Sequence, residues 1–234
     1  FAPRSAVAAL SPDAGKDFSF LRTQAKGVPT VRPRLEDVLA LRPTLVVRSF
    51  GGDAGIDAAL AGAGVDVVQL GYPQNLAEVR AELVRVGAAL GAAKKAIVLA
   101  QTFDRRLAAL PPVVAKPSAL YMTPGGVTTG GGSLLDEMMM RAGLSNFESS
   151  AGWSALPLER LASEQPDLIV AAFYGETGAD SDQWSAARHP VAAAAMHGRP
   201  VAHLSGASVS CGGWFMLDAV EAMVTLANPA IPTA

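Results

Sequence analysis

The sequence predicts an α/β protein made of two Rossmann-like α/β lobes that are joined by one long rigid helix, with a ligand cleft between the lobes. Two segments, residues 35–52 and 158–175, share a helix, proline and strand pattern, and a long amphipathic helix lies between them. The predicted N-terminal lobe covers residues 1–91, the connecting helix residues 92–112 and the C-terminal lobe residues 113–234.

The two repeated segments align without a gap. In each copy a helix begins close behind a proline and has a glutamate in its first turn, where the helix dipole favours a negative charge. A second proline ends the helix, and an apolar run follows that predicts a strand buried on both faces. Helix and strand formation do not require the shared glutamate, phenylalanine and glycine, so the repeat predicts two lobes with related roles. The matched pairs are Leu35/Leu158, Glu36/Glu159, Pro43/Pro166, Leu45/Leu168, Val47/Val170, Phe50/Phe173 and Gly52/Gly175.

The ligand side of each lobe is predicted from where its strands end. Ligands of open α/β sheets bind beyond the carboxyl ends of the strands, so residues 50–52 and 173–175 are expected to face one cleft. Arg48 is expected to meet an acidic group of the ligand, and a plain surface arginine is an equal alternative. Aromatic residues at strand ends and in loops suit a large, flat, partly apolar ligand; they are Phe50, Tyr72, Tyr121, Trp153, Phe173, Tyr174, Trp184 and Trp214.

Composition excludes several classes of protein. The chain is 50% hydrophobic and 17% charged, which is enough for a sizeable core. Its formal net charge of -2 and the lack of a basic run argue against nucleic acid and against an anionic membrane surface. No apolar stretch is long enough to span a bilayer, and the single cysteine, Cys211, excludes an internal disulfide. Residues 1–10 do not resemble an export signal, so we expect any such signal either to have been removed or never to have been present.

Periodicity and turn residues predict the elements of the N-terminal lobe. Apolar runs between Gly, Pro and Ser predict strands, and apolar residues at i, i+3 and i+4 predict helices. Residues 76–110 have helical periodicity that Gly91 interrupts, so two helices are expected there, and Pro111 and Pro112 end the second. The remaining elements are a strand at 6–10, a helix at 17–25, an extended link at 29–32, the first repeat copy, a helix at 53–63 and a strand at 66–70.

The C-terminal lobe is predicted in the same way. A helix at 134–142 is expected to begin with Ser133 as its N-cap and Asp136 as the capping-box acid, and to end at Gly143. The other elements are a strand at 118–122, a glycine-rich loop at 124–132, the second repeat copy, an exposed loop at 175–182, a helix at 184–196 broken at Pro190, a strand at 201–204 and a helix at 215–227.

No pattern in the sequence supports catalysis. Residues 126–133 have P-loop spacing, but Gly132 stands where the phosphate-binding lysine is needed, so a flexible loop lining the cleft is expected instead. Ser208 lies in GASVS, which misses the GxSxG elbow, and Cys211 is more simply explained as a small buried thiol than as a nucleophile. The three histidines, His189, His197 and His203, form no HxH or HxxxH pair, so no site for a bare metal ion is expected. We therefore predict no enzyme and no catalytic residues.

The chain resembles the periplasmic binding proteins of ABC importers for ferric siderophores, haem and vitamin B12, the class with a helical backbone between its lobes. The resemblance implies a monomer in the periplasm, a bound metal chelate and no cofactor, and an ABC permease with its ATPase as partners. It also implies that Glu36 and Glu159 dock onto arginines of the permease. The segments that resemble the family are RLEDVLALRPTLVV, the helix ending in FDRRL, GGGSLLDEMMMRAGLSNF, PLERLASEQPDLIV, the His-Pro pair at 189–190 and SCGGWFMLDAVEAM.

The ligand implied by the resemblance is a ferric siderophore or a cobalamin-type corrinoid. Catecholate siderophores are highly anionic and would favour several cleft arginines, so a neutral corrinoid or a hydroxamate fits the aromatic residues better. Haem stays open, because Tyr121 or Tyr174 can serve as an axial ligand. The alternative of another class is a cytosolic α/β enzyme that uses the glycine-rich loop at 125–133.

Two structural expectations follow from the resemblance. Family members usually begin with a strand and a helix ahead of the segment that residues 5–12 resemble, so the N-terminal lobe is expected to lack this first βα unit. A stiff connecting helix predicts that the lobes close only slightly around the ligand.

Overall fold

The computed structural model describes residues 1–49, 54–111, 116–176 and 183–228. Its α-helices are α1 (Arg22–Ala25), α2 (Leu35–Ala40), α3 (Ile56–Gly62), α4 (Leu76–Ala89), α5 (Ala93–Ala108), α6 (Leu134–Arg141), α7 (Leu158–Ser163), α8 (Pro190–His197) and α9 (Met216–Ala227). Its strands are β1 (Leu45–Arg48), β2 (Asp66–Gln69), β3 (Ser118–Met122), β4 (Val127–Thr129), β5 (Ser145–Asn146), β6 (Trp153–Ala155), β7 (Leu168–Ala172) and β8 (Val201–Leu204). Within those ranges, none of the helices is both long and apolar enough to cross a membrane.

The strands form two separate parallel sheets and one small antiparallel sheet. Strands β1 and β2 pair in the N-terminal half, and the C-terminal half has a four-stranded sheet in the order β5-β3-β7-β8. Strands β4 and β6 pair antiparallel beside the larger sheet. Parallel neighbours require crossover connections, which here contain the intervening helices. The predicted α/β class is confirmed.

The larger sheet is buried on both faces. All five residues of β7 are buried, as its unbroken apolar sequence predicts. Because successive side chains of a strand point to opposite faces, Tyr121 of β3 belongs to one core cluster, whereas Leu120 and Met122 belong to the other. A third, small cluster around Leu60 supports the N-terminal sheet.

Helix α5 makes contacts with both halves of the chain. Its Asp104 accepts hydrogen bonds from Arg80 Nε of α4, at 2.7 and 2.8 Å. Its Arg106 donates to Glu221 from Nε at 2.9 Å and to Asp218 from Nη2 at 2.7 Å, and both acids lie in α9. The pKa of Arg106 lies above its usual value, chiefly because of the hydrogen bonds to Glu221. Partial burial opposes this shift, and Asp218 adds to it. These contacts fit the predicted connecting helix; the exact lobe boundaries stay a prediction.

Both copies of the repeat form the predicted helix and strand. Helix α2 leads into β1, and α7 leads into β7. Glu36 and Glu159 each lie in the first turn of their helix, and both side chains are exposed.

Three of the predicted elements differ from the structure. Residues 6–10 do not form a strand; Arg4–Ala6 is a 3-10 helix, and Leu10 makes a single bridge to Thr30. The helix predicted at 17–25 is limited to α1. The helix predicted at 184–196 begins only at Pro190. Proline suits the first position of a helix, because a backbone N–H at that position would have no acceptor within the helix.

The glycine-rich segment was predicted as a flexible loop throughout, and this prediction is wrong for residues 127–129. Residues 127–129 form strand β4, in which Thr128 and Thr129 are fully buried. Gly130 is packed so closely that a Cβ there would lie 2.0 Å from the carbonyl oxygen of Ser150. Farther on, Ser133 caps α6 as predicted, whereas the carboxylate of Asp136 accepts from Asn146.

We predict that Gly87→Ala destabilises the protein through the contact between α4 and α5. A Cβ at position 87 would lie 2.2 Å from the Cβ of Ala96, so the helices must separate. Overpacking of this kind costs about 1–3 kcal/mol, against a gain in helix propensity of about 1 kcal/mol. The matched control is Gly62→Ala in α3, where a Cβ meets no atom within 4 Å. Urea unfolding should show a lower midpoint for Gly87→Ala than for the control, and equal midpoints would contradict this packing.

Candidate functional site

A cavity of about 540 Å³ lies between the two halves of the chain. The N-terminal half contributes the segment after β2 and one face of α4, including Leu83 and Val86. The C-terminal half contributes the residues that follow β3, β7 and β8. The cavity is therefore at the carboxyl ends of parallel strands, where ligands of α/β proteins bind.

Aromatic rings form much of the cavity wall. Tyr121 and Trp153 meet edge to face, with ring centroids 6.0 Å apart. Trp214 meets Phe215 edge to face at 5.4 Å, and Phe20 stacks on Phe215 at 4.4 Å. Edge-to-face and stacked contacts fix the orientation of rings, so this wall is formed before any ligand arrives.

Phe173 is held at the cavity by an unusual backbone conformation. Its φ of 68° lies in the left-handed region, which bulky residues rarely adopt. Its ring lies against Gly206, where a Cβ would be 2.3 Å from Phe173 Cδ1, so only glycine fits there. Glu176 accepts a hydrogen bond of 2.6 Å from the Gly206 N–H and so connects the segment after β7 to the segment after β8.

The structure brings five of the predicted ligand residues together around the cavity. They come from both halves of the chain, and they are Tyr72, Tyr121, Trp153, Phe173 and Trp214. Their contact with a ligand stays a prediction.

The other predicted ligand residues are placed elsewhere. Phe50 lies outside the described residues. Arg48 forms an ion pair with Asp57 of α3. Tyr174 packs against the core cluster on the far face of the sheet, and Trp184 is 95% exposed. None of these last three is among the described residues that line the cavity.

Several cavity residues were not predicted from the sequence. Residues 209–213 and 215–216 follow β8 and line the cavity together with Trp214, and Glu82 lines it from α4. The strand-end rule that selected residues 50–52 and 173–175 also applies to β8, so it would have identified this segment. Gly212 allows the two halves to approach, because a Cβ there would lie 2.4 Å from Pro73 Cγ.

The cavity has little charge. Among the described residues that line it, Glu82 is the one with a charged side chain. Its pKa lies below the usual value, chiefly because Arg85 donates hydrogen bonds to the carboxylate; partial burial opposes the shift, and the Gly71 N–H adds to it. Over the described part of the chain, no three His, Cys, Asp or Glu side chains are grouped so that they could hold a metal ion.

The two cavity tyrosines have different environments. Tyr121 is almost fully buried, and burial raises the pKa of its phenol far above the usual value, with a further contribution from Tyr174. Tyr72 is 72% exposed. The Tyr121 phenol therefore stays protonated, whereas the Tyr72 ring is accessible to a ligand.

The chain matches one protein family over most of its length. Residues 8–186 match the family model described as periplasmic binding protein. No curated protein matches the chain.

Solved structures share the fold. The periplasmic heme-binding protein BhuT, solved in complex with two hemes, is 26% identical; the match covers 89% of this chain and 85% of BhuT, with a TM-score of 0.72. The periplasmic heme-binding protein RhuT from Roseiflexus sp. RS-1 is 20% identical, with 94% and 90% covered and a TM-score of 0.72. The periplasmic vitamin B12 binding protein BtuF of Vibrio cholerae is 19% identical, with 95% and 88% covered and a TM-score of 0.63. The last two similarities concern the fold alone.

We predict that Tyr121 makes the protein less stable at alkaline pH. Its folded-state pKa is raised, so above the unfolded-state value of about 10 the folded chain keeps a proton that the unfolded chain loses. This contribution to stability is complete below pH ~10 and falls by up to ~1.4 kcal/mol per pH unit above it. Urea unfolding across this range should show a shallower decline for Tyr121→Phe than for the unchanged protein. Parallel declines would contradict the buried phenol.

Proposed function

The chain belongs to the periplasmic binding protein family, and we propose that it captures a metal tetrapyrrole, haem in the first place, as the substrate-binding component of an ABC importer. Proteins of this family bind solutes and are not enzymes, as the sequence predicted. On this proposal the protein works as a monomer in the periplasm and delivers its ligand to a membrane permease. The enzyme alternative based on the glycine-rich loop is wrong.

The observation that supports a tetrapyrrole most directly is the aromatic cavity. Tyr72, Trp153, Phe173 and Trp214 line it from both halves of the chain. Aromatic side chains offer flat apolar surfaces on which a planar macrocycle packs. The volume of about 540 Å³ is in the range of small-molecule sites.

The charge of the cavity argues against a catecholate siderophore. The ionised Glu82 lines the cavity, and no lysine or arginine is among the described lining residues. A highly anionic ferric complex would lose its hydration there without gaining a cationic partner, which is unfavourable. A ligand with a largely apolar surface is favoured.

Two observations support haem over a corrinoid. The haem-binding protein BhuT is 26% identical over most of both chains. In addition, the exposed Tyr72 ring at the cavity suits an axial oxygen ligand for the ferric iron of the captured haem, since tyrosine serves this role in haem proteins. Tyr121 suits it less, because its raised pKa disfavours the phenolate.

A corrinoid is the second candidate. The neutral amide groups of a corrinoid need no cationic partner. The two propionates of haem are anionic, and without a cationic lining residue they must reach solvent at the cavity opening. The lack of lysine and arginine among the described lining residues therefore favours a corrinoid on this one point.

The proposed function is tested by titrating the protein with haemin, cobalamin, a ferric hydroxamate and a ferric catecholate while tryptophan fluorescence is recorded. We expect haemin to bind with strong quenching, because Trp153 and Trp214 line the cavity. Trp214→Phe should remove a large part of the quenched signal. Trp184→Phe is the matched control, because this ring is 95% exposed and outside the described lining, so its removal should leave the quenching intact.

Three outcomes of this titration are informative. Binding of cobalamin alone would replace haem by a corrinoid. Binding of a siderophore alone, or quenching that depends on Trp184 and not on Trp214, would contradict the tetrapyrrole proposal.

We predict that reversing the charge of both exposed glutamates, Glu36→Lys with Glu159→Lys, abolishes uptake of the ligand by cells and leaves ligand affinity within about twofold. Both side chains are on the outer surface at helix starts, where they are available to arginines of a permease. Glu164→Lys is the control, since this exposed side chain directly follows α7 and forms an ion pair with Arg160 of the same helix. Uptake by the double variant at the level of the control would contradict the docking role.

A further inference from the structure

We propose that Glu78 and Glu82 of α4 are positioning residues that hold the Tyr72 segment, residues 71–75, in the conformation that presents the Tyr72 ring to the cavity. The inference rests on the proposed function, because the ring is positioned for contact with the ligand. Hydrogen bonds on both sides of Tyr72 support it.

Glu82 holds the N-terminal side of the segment. Its Oε1 accepts a hydrogen bond of 2.6 Å from the Gly71 N–H. Arg85 donates to the same carboxylate, from Nε at 2.7 Å and from Nη2 at 2.6 Å, and its Nη2 also donates to the Gln69 carbonyl at 2.5 Å. The Glu82–Arg85 pair therefore binds the backbone on both sides of Leu70, directly ahead of Tyr72.

Glu78 holds the C-terminal side of the segment. Its Oε2 accepts from the Gln74 N–H at 2.7 Å, and its Oε1 accepts from Asn75 Nδ2 at 2.8 Å. Asn75 Oδ1 accepts in return from the Glu78 N–H at 2.8 Å, so the two residues cap the start of α4 reciprocally.

The two glutamates are one helical turn apart and point from the same face of α4. Between their attachment points, Gln74 Nε2 donates to the Tyr72 carbonyl at 3.1 Å. The backbone around Tyr72 is thus bound at several points, although the ring itself is 72% exposed and lines the cavity. A ring on a fixed backbone loses less conformational freedom on binding than a ring on a free loop, which favours affinity.

The other half of the chain supports the same segment. The Leu76 N–H, at the start of α4, donates to Glu137 Oε2 of α6 at 2.6 Å. Pro73 lies against Gly212. The backbone of the Tyr72 segment is therefore held against the opposite half of the chain as well as against α4.

Glu82 also lines the cavity, so a direct contact between Glu82 and the ligand has to be distinguished from a positioning role. A double-mutant cycle makes this distinction. If Glu82 acts through Tyr72, its removal has no further effect once Tyr72 is alanine. If Glu82 contacts the ligand, its removal has the same effect in both backgrounds.

The experiment measures haemin affinity for Glu82→Ala, Glu82→Gln, Tyr72→Ala and the double variant, with hydrogen–deuterium exchange of residues 69–76. We expect Glu82→Ala to weaken haemin binding by about tenfold, the equivalent of one charge-assisted hydrogen bond, and to speed exchange at Gly71, whose N–H loses its acceptor. Glu82→Gln keeps an oxygen acceptor for the Gly71 N–H and should recover most of the affinity. In the Tyr72→Ala background, Glu82→Ala should change affinity by less than about twofold.

The control is Arg80→Ala, which removes another α4 ion pair, to Asp104 of α5, away from the Tyr72 segment. It should leave both haemin affinity and exchange of the segment unchanged. Additive losses in the double variant, or unchanged exchange in Glu82→Ala, would overturn the positioning role while the proposed function stands. If the unchanged protein binds neither haemin nor cobalamin, the proposed function fails, and the inference fails with it because Tyr72 then has no ligand to contact.

Discussion

Helix α5 packs against α4 on one side and is bound to α9 through Arg106 on the other, and the placement of the cavity depends on this packing. Phe103 of α5 is buried in the main core, and Gly87 lets α4 approach Ala96 without a gap. The segments that follow β2, β3, β7 and β8 line the same cavity. Strands β3 and β7 are buried along almost their whole length, so the cavity lies beyond their carboxyl ends.

The two walls of the cavity are fixed by different means. On the C-terminal side, stacked and edge-to-face rings orient Trp214 and Phe215, and Gly206 admits the ring of Phe173. On the N-terminal side, hydrogen bonds from the backbone to Glu78 and Glu82 hold the segment that contains Tyr72. Contacts between the halves at Leu76 and Pro73 join the two walls. The small closure expected for a stiff connecting helix stays a prediction.

The sequence predicts the fold well because local patterns decide most of it. The helix, proline and strand repeat, the break at Gly91 and the Ser133 cap each depend on nearby residues, and the structure has all three. Side-chain direction at the site depends on tertiary contacts instead. Phe173 and Tyr174 are neighbours in sequence, yet one faces the cavity and the other the far core, and no local signal separates them. The glycine-rich segment forms a strand only because β6 lies beside it.

On the proposed function, the cavity between the halves holds one metal tetrapyrrole beside Tyr72. The most direct measurement is a crystal structure of the protein with haemin, with the anomalous scattering of iron used to locate the ligand. We expect an iron peak inside the cavity, next to the Tyr72 phenol and among the rings of Trp153, Phe173 and Trp214 that line it. An iron peak elsewhere on the molecule, with the cavity left to solvent, would contradict it.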